Sequence, residues 1–361
     1  MTNSNGERQR YRNTPDPVMT DGRGIDTAIA TLEGEAAQQH APRADGHWTN
    51  IAPARWNRVP EIVEGETSYY GQPMLKPSVW SIDIPIYYFL GGTAGAALTL
   101  GAATQLACPH CEHPLRKVAA ICHWTGVAGS TMGAAFLIHD LGRPSRFVYM
   151  MRVFRPTSPM NMGTWILSGA APTAIFTALF LNRGGLLGTM AEITGYLSGL
   201  FGAALAGYTG VLVCNSAIPI WQEARRWVPV MFIASSASAA ASVIDVLSDD
   251  DRTRTLTRIF GTAGRLAEIA ASKQVQRVAS VIPKIGEPLH RGRTGFLWKL
   301  ATGLTAVSLG LSLFGGRGRK RTVVAGVLGM GGSLCLRFAV HYASNDSARE
   351  PRASFEQQRS R

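Results

Sequence analysis

Residues 139 to 165, from His-Asp-Leu-Gly-Arg-Pro through Gly-Thr-Trp, concentrate the side chains that could do chemistry. They follow an apolar segment ending near Ile138 and lead into another starting near Gly163. Asp140 therefore stands at the mouth of a membrane helix, with His139 before it and Arg143 just after it. An acid beside an imidazole and a guanidinium, within reach of water, can take up and release protons. Arg146, Arg152 and Arg155 continue the basic run, and Pro144, Pro156 and Pro159 stiffen it. Charge at membrane depth is expensive and marks a functional or partner-facing surface. A plain basic loop at the lipid headgroups is the competing reading.

Other polar groups sit along the apolar segments. Asp83 stands one residue before the first uncharged run, Asp245 ends the fifth segment and Glu268 lies within the sixth. Tyr208 lies mid-span, where a hydroxyl either bonds a neighbouring helix or meets the carbonyl of a bound molecule. Trp165 and Tyr87 are helix-end aromatics of the kind that populate the interface. His123 and His139 are sixteen positions apart on one helix, roughly 24 Å at the usual rise. They cannot share a haem, whose axial histidines come from facing helices. No haem is expected, and His123 reads as a hydrogen-bonded core residue. Of five cysteines, Cys122, Cys214 and Cys335 fall in apolar spans and read as core residues, whereas Cys108-Pro-His-Cys111 lies in a short loop. That pair could form a disulfide or hold a metal, but no second ligand pair stands near it.

These groups need a scaffold, and the distribution of charge supplies one. Ile84 to Ala107, Gly163 to Asn182 and Ile193 to Gln222 carry no charged residue, and Val118 to Ile138 carries only His123. Each is long enough to cross a bilayer at roughly 20 residues. Glycine and alanine dominate, as in Gly91-x-x-x-Gly95 and Gly129-x-x-x-Gly133, which suits closely packed membrane helices. The expected fold is all-α and polytopic, with about eight spans at 82–107, 117–139, 163–182, 193–218, 227–247, 253–280, 295–315 and 321–343. The sixth is crowded with Arg254, Arg258, Arg265, Glu268, Lys273 and Arg277. On hydropathy alone it would lie on the membrane surface. Residues 1–78 form a polar, disordered tail without a secretory h-region. Residues 79–345 form the membrane domain and 346–361 a polar C-terminal tail. The net charge of +12 clusters in loops. It points to anionic lipid and topology rather than nucleic acid, and favours both termini in the cytoplasm.

Several stretches resemble the NrfD/PsrC-type membrane subunits of polysulfide reductase and related molybdenum oxidoreductases. Tyr87-Tyr-Phe-Leu-Gly-Gly-Thr-Ala-Gly95 is similar to the family's first span. His139-Asp-Leu-Gly-Arg-Pro-Ser-Arg-Phe147 carries its Asp-Leu-Gly-Arg-Pro signature, and Ser158-Pro-Met-Asn-Met-Gly-Thr-Trp165 its Ser-Pro-Met start of the third span. Tyr208-Thr-Gly-Val-Leu212, Pro219-Ile-Trp221, Arg337-Phe-Ala-Val and Ser347-Ala-Arg-Glu-Pro351 resemble later elements. The resemblance covers about 80 to 350.

It implies a quinone- or quinol-binding subunit in the cell membrane, with no haem or iron–sulfur cluster of its own. The quinone would be menaquinone or ubiquinone. The implied partners are a four-cluster iron–sulfur protein and, through it, a molybdopterin catalytic subunit. Quinone chemistry moves two electrons and two protons, so the site needs hydrogen-bond donors and a protonatable group in touch with water. Asp83, His139, Asp140, Arg143, Trp165 and Tyr208 are the expected site residues. A structural anchor without quinone chemistry and a secondary transporter are the alternatives. A transporter would show internal repeats and midplane acids, and the acids here sit near span ends.

Overall fold

The computed structural model describes residues 24–26, 31–33, 41–42, 48–49, 73, 75–107, 114–248, 250–314 and 318–359. The chain divides into two compact units, Met1–Tyr69 and Tyr70–Arg361. In the first, the described pieces are two short antiparallel ladders, Gly24–Asp26 with Thr31–Glu33 and Ala41–Pro42 with Trp48–Thr49. The expectation of a disordered tail falls largely on residues outside those described. So does the Cys108/Cys111 pair.

Among its described residues the second unit is all α. Eight long helices follow one another: α1 (Asp83–Ala107), α2 (Pro114–Asp140), α3 (Pro159–Phe180), α4 (Gly185–Cys214), α5 (Val228–Leu247), α6 (Asp251–Ala279), α7 (Gly292–Phe314) and α8 (Arg319–Arg349). All but α6 are long and apolar enough to cross a membrane. As the helices alternate in direction, Asp83, Asp140 and the end of α8 fall on one face, called near here. The near-face connectors hold short helices: Ser145–Met150, Pro219–Glu223 and Pro283–Gly286.

Helix α6 carries too many charges to read as a span, for a reason its packing explains. Arg265 and Glu268 point inward and are buried. The outward side between Arg258 and Lys273 carries exposed Ile259, Ala263, Leu266, Ala267 and Ala270. The fifteen residue steps from Arg258 to Lys273 span roughly 22 Å at helical rise, a length over which flanking cations would reach the headgroups of a bilayer. A helix lying on the surface would turn its charges outward. This one turns two of them into the protein.

Packing follows from small residues. A Cβ on Gly95 would meet the Gly202 carbonyl oxygen at 2.5 Å, and one on Gly202 would meet that of Gly95 at 2.6 Å. The backbones of α1 and α4 therefore touch where they cross. The core runs from Tyr87, Tyr88 and Leu98 through Phe232 and Met231 to Trp298 and Leu336.

Two boundaries differ from expectation. The fourth span stops at Cys214, and Pro219 opens a separate short helix, because proline cannot continue a helix and disfavours helical backbone just before it. At the C-terminus, residues 346–361 begin inside α8 and continue as the helix Pro351–Arg359. Its Gln357 amide donates to the Pro219 carbonyl and, at 2.8 Å, to Glu223. Trp221 donates its indole N–H to Ser344 at 2.6 Å, so the end of the chain is docked rather than trailing.

Candidate functional site

The Asp-Leu-Gly-Arg-Pro stretch ends α2 and turns the chain. Gly142 has φ 73°, the left-handed region open to glycine without a Cβ penalty. Its N–H closes on the His139 carbonyl. Pro144 then precedes the short helix Ser145–Met150. The Ser-Pro-Met stretch starts α3 in an equally local way. Ser158 is the N-cap, accepting from the Asn161 N–H, and Pro159 takes the first turn. Asn161 also pins the loop between the two motifs. Its carbonyl accepts the Arg155 N–H at 2.8 Å, and its amide donates to the Val153 carbonyl at 2.9 Å and to that of Met150.

Between these motifs a cleft opens on the near face. Trp80, Tyr87, Tyr88, Asp140, Met150 and Tyr208 line it, with Ile84, Leu137, Leu141, Met160, Thr164 and Leu212. The cavity inside it is small, about 30 Å³. Helices α1 to α4 all contribute.

Its polar groups are ordered. Tyr87 and Tyr208 share a hydrogen bond between their hydroxyls. The buried Tyr88 hydroxyl has no protein partner among the described residues. Asp140 is 7% exposed and accepts from the Ser81 backbone N–H at 3.0 Å and from the Ser81 hydroxyl. That hydroxyl also lies 3.0 Å from Asp83, which in turn holds the His139 ring nitrogen at 2.7 Å. The His139 side chain is 68% exposed. Polar contacts within hydrogen-bond distance thus lead from the exposed His139, through Asp83 and Ser81, to the cleft at Asp140; the single Ser81 hydroxyl proton serves one of the two carboxylates at a time.

The structure brings four of the six expected residues together: Asp83, His139, Asp140 and Tyr208. It leaves two outside. Arg143 is exposed on the turn. Trp165 is 38% exposed and packs edge-on against Phe154. Thr164 faces the cleft, and the next position on a helix turns away from it. Tyr208 is also shallower than the expected span of 193–218 would put it. It lies six positions before Cys214, roughly 9 Å from the helix end.

Sequence reasoning missed Tyr88 and Ser81. Tyr88 follows Tyr87 in an apolar run, and only packing reveals which hydroxyl has a partner. His123 is a buried core residue, bonded to Gln105 at 2.9 Å and within 3.4 Å of Ser198. Cys122 and Cys214 are buried free thiols.

The loop beside the cleft is basic and apolar at once. Arg143, Arg146, Arg152 and Arg155 are exposed, as are Val148, Tyr149, Val153 and Phe154. No curated protein matches the chain significantly. The family model for polysulphide reductase NrfD matches residues 72–345. That span holds the whole bundle but its last few residues, both motifs and the cleft they frame, so the chain is a member of the polysulphide reductase NrfD family of membrane proteins.

Proposed function

We propose that this chain is the quinone- or quinol-binding subunit of a multisubunit oxidoreductase in the cell membrane. It would pass electrons between an iron–sulfur subunit and menaquinone or ubiquinone. One observation carries the reading: a buried tyrosine hydroxyl without a protein partner, Tyr88, faces the same cleft as a water-connected acid, Asp140. A quinone carbonyl is an acceptor, and an unpaired buried donor is the group it would satisfy. Asp140 would pass a proton to the ring oxygen and regain one through Ser81 from Asp83 and His139. The cleft is narrow, and a ring would enter by displacing Met150 and Met160, whose side chains adapt readily.

The neighbouring loop suits the electron donor. Met150 belongs to the connector and also lines the cleft, so a protein docked on the loop would bring its cluster close. The four exposed arginines favour an acidic partner surface, and the exposed Val148, Tyr149 and Phe154 supply apolar contact. The partners expected are a four-cluster iron–sulfur protein and, through it, a molybdopterin subunit.

The test is native purification of the complex, mass spectrometry of its partners and quinol-driven reduction of the partner's clusters. Tyr88→Phe should raise the quinol concentration needed for half-maximal reduction by about tenfold, the worth of one hydrogen bond of ~1.4 kcal/mol. A native complex whose clusters ignore quinol would leave the chain a structural anchor.

A further inference from the structure

One side of the first turns of α3 carries a pattern that the cleft does not explain. Asn161, Thr164, Trp165 and Ser168 stand at i, i+3, i+4 and i+7, and so share one side of the helix. All four reach the connector between α2 and α3. Asn161 accepts the Arg155 N–H at 2.8 Å and donates to the Val153 carbonyl at 2.9 Å and to that of Met150. The Thr164 hydroxyl lies 3.7 Å from the Met150 sulfur, and the Ser168 hydroxyl 3.1 Å from that of Met151. The Trp165 ring meets Phe154 edge-on at 5.9 Å. Residues 150–155 are thus strapped onto α3.

The strap has little order of its own. The short helix ends at Met150, whose carbonyl is among those a helix end leaves open. From Met151 to Ser158 neither helix nor strand continues the backbone pairing. Asn161 fills the gap because an amide offers two N–H donors and an acceptor oxygen, and all three are spent on backbone groups here. Aspartate would lack the donors and alanine would lack everything.

The strap also serves two surfaces. Met150 lines the cleft. Arg152, Val153, Phe154 and Arg155 are exposed. One side chain, Asn161, therefore fixes the rim of the cleft and the basic docking surface together.

We propose that Asn161 is a positioning residue that keeps residues 150–155 in order for two ligands at once, the ring in the cleft and the protein on the arginines. Both ligands, and with them this inference, rest on the quinone reading. A loop that is already ordered spares each ligand the entropy of fixing it. Ring and protein then gain little from one another in the wild type. Without Asn161, whichever binds first orders the strap and the second binds more tightly, a cooperativity that needs no change of shape. By linkage each ligand raises the affinity for the other by the same factor.

The experiment titrates a short-chain naphthoquinone into the full chain alone and into the native complex, and follows saturable binding. For each variant the Kd of the chain alone is divided by the Kd of the complex. That ratio should be about tenfold larger in Asn161→Ala than in the wild type. The kcat of the complex should stay within about twofold, since the strap acts on binding rather than on the chemical step. Asn161→Asp keeps the bond from the Arg155 N–H and loses the two donors, so its ratio should fall between. It carries the same comparison if the alanine variant does not assemble. A ratio equal to the wild type's overturns the proposal, whether binding is unchanged or is weakened alike in both forms, as a defect of the bundle would weaken it. If neither wild-type form binds the naphthoquinone, the quinone reading fails on its own. A spin label at Val153, in a chain otherwise lacking thiols, then decides the strap. A label that is held in the wild type, moves freely in Asn161→Ala alone and is held again in the complex supports it. One held equally with and without Asn161 overturns it.

Discussion

Gly163 seats the ring of Tyr208: a Cβ at that position would collide with the ring carbons and the hydroxyl. The third-span motif and the fourth-span tyrosine are thus one feature, made of the smallest residue on α3 and a large one on α4.

Gly163→Ala should therefore push the Tyr208 phenol off Tyr87 without unfolding the bundle. Overpacking of this kind costs about 1–3 kcal/mol. The expected outcome is an assembled complex with slightly lower thermal stability and quinone turnover reduced about tenfold or more. Normal turnover in the purified variant would show that the Tyr87–Tyr208 pair is structural only.

Asp140→Asn removes the proton carrier and keeps the shape. Ser81 can still donate to the amide oxygen, so assembly should persist. Turnover should fall about a hundredfold, the usual scale for a lost acid–base group. Ser81→Ala should reproduce part of that loss by cutting the link to Asp83 and His139. Steady-state quinol oxidation by the two purified variants decides the matter, and an unchanged rate in both would move the proton source elsewhere.

Arg152→Ala with Arg155→Ala should weaken co-purification of the iron–sulfur partner, more so as salt rises. Both side chains are exposed and distant from the bundle core, so bundle stability should not change. Exposed charges act mainly through steering and orientation. Pull-down across a salt series measures this, and assembly unaltered at high salt would place the docking surface on another connector.

The buried polar side of α6 predicts eight crossings and both ends of the chain on one side. Single cysteines placed at positions 3 and 355, in a chain otherwise lacking thiols, should label from the same side of sealed cells. Labelling from opposite sides would mean that α6 does not cross.

Much of this architecture was legible in the sequence because membrane spans announce themselves by uninterrupted apolar length. The two motifs were legible through their resemblance to the family's stretches, and the folded chain shows what they build: a turn at Gly142 and a helix start at Ser158 and Pro159. What stayed hidden depends on facing. Position 165 reads as an aromatic at a helix start, yet one step of helical rotation separates Trp165 from cleft-lining Thr164. Arg265 and Glu268 made α6 look like a surface helix because composition carries no direction. Asn161 lies inside the third-span motif, and only the folded loop reveals the three backbone groups it holds.

The contact of α1 with α4 at Gly95 and Gly202 has a consequence for traffic through the cleft. At that crossing the two backbones are in direct contact, with no side chain between them to repack. Alternating access requires one half of a bundle to rock against the other around a central site. Here the two helices that would have to part are in backbone contact behind the cleft. On the proposed function, a quinone would exchange with the lipid pool through the near-face mouth, past Met150 and Met160.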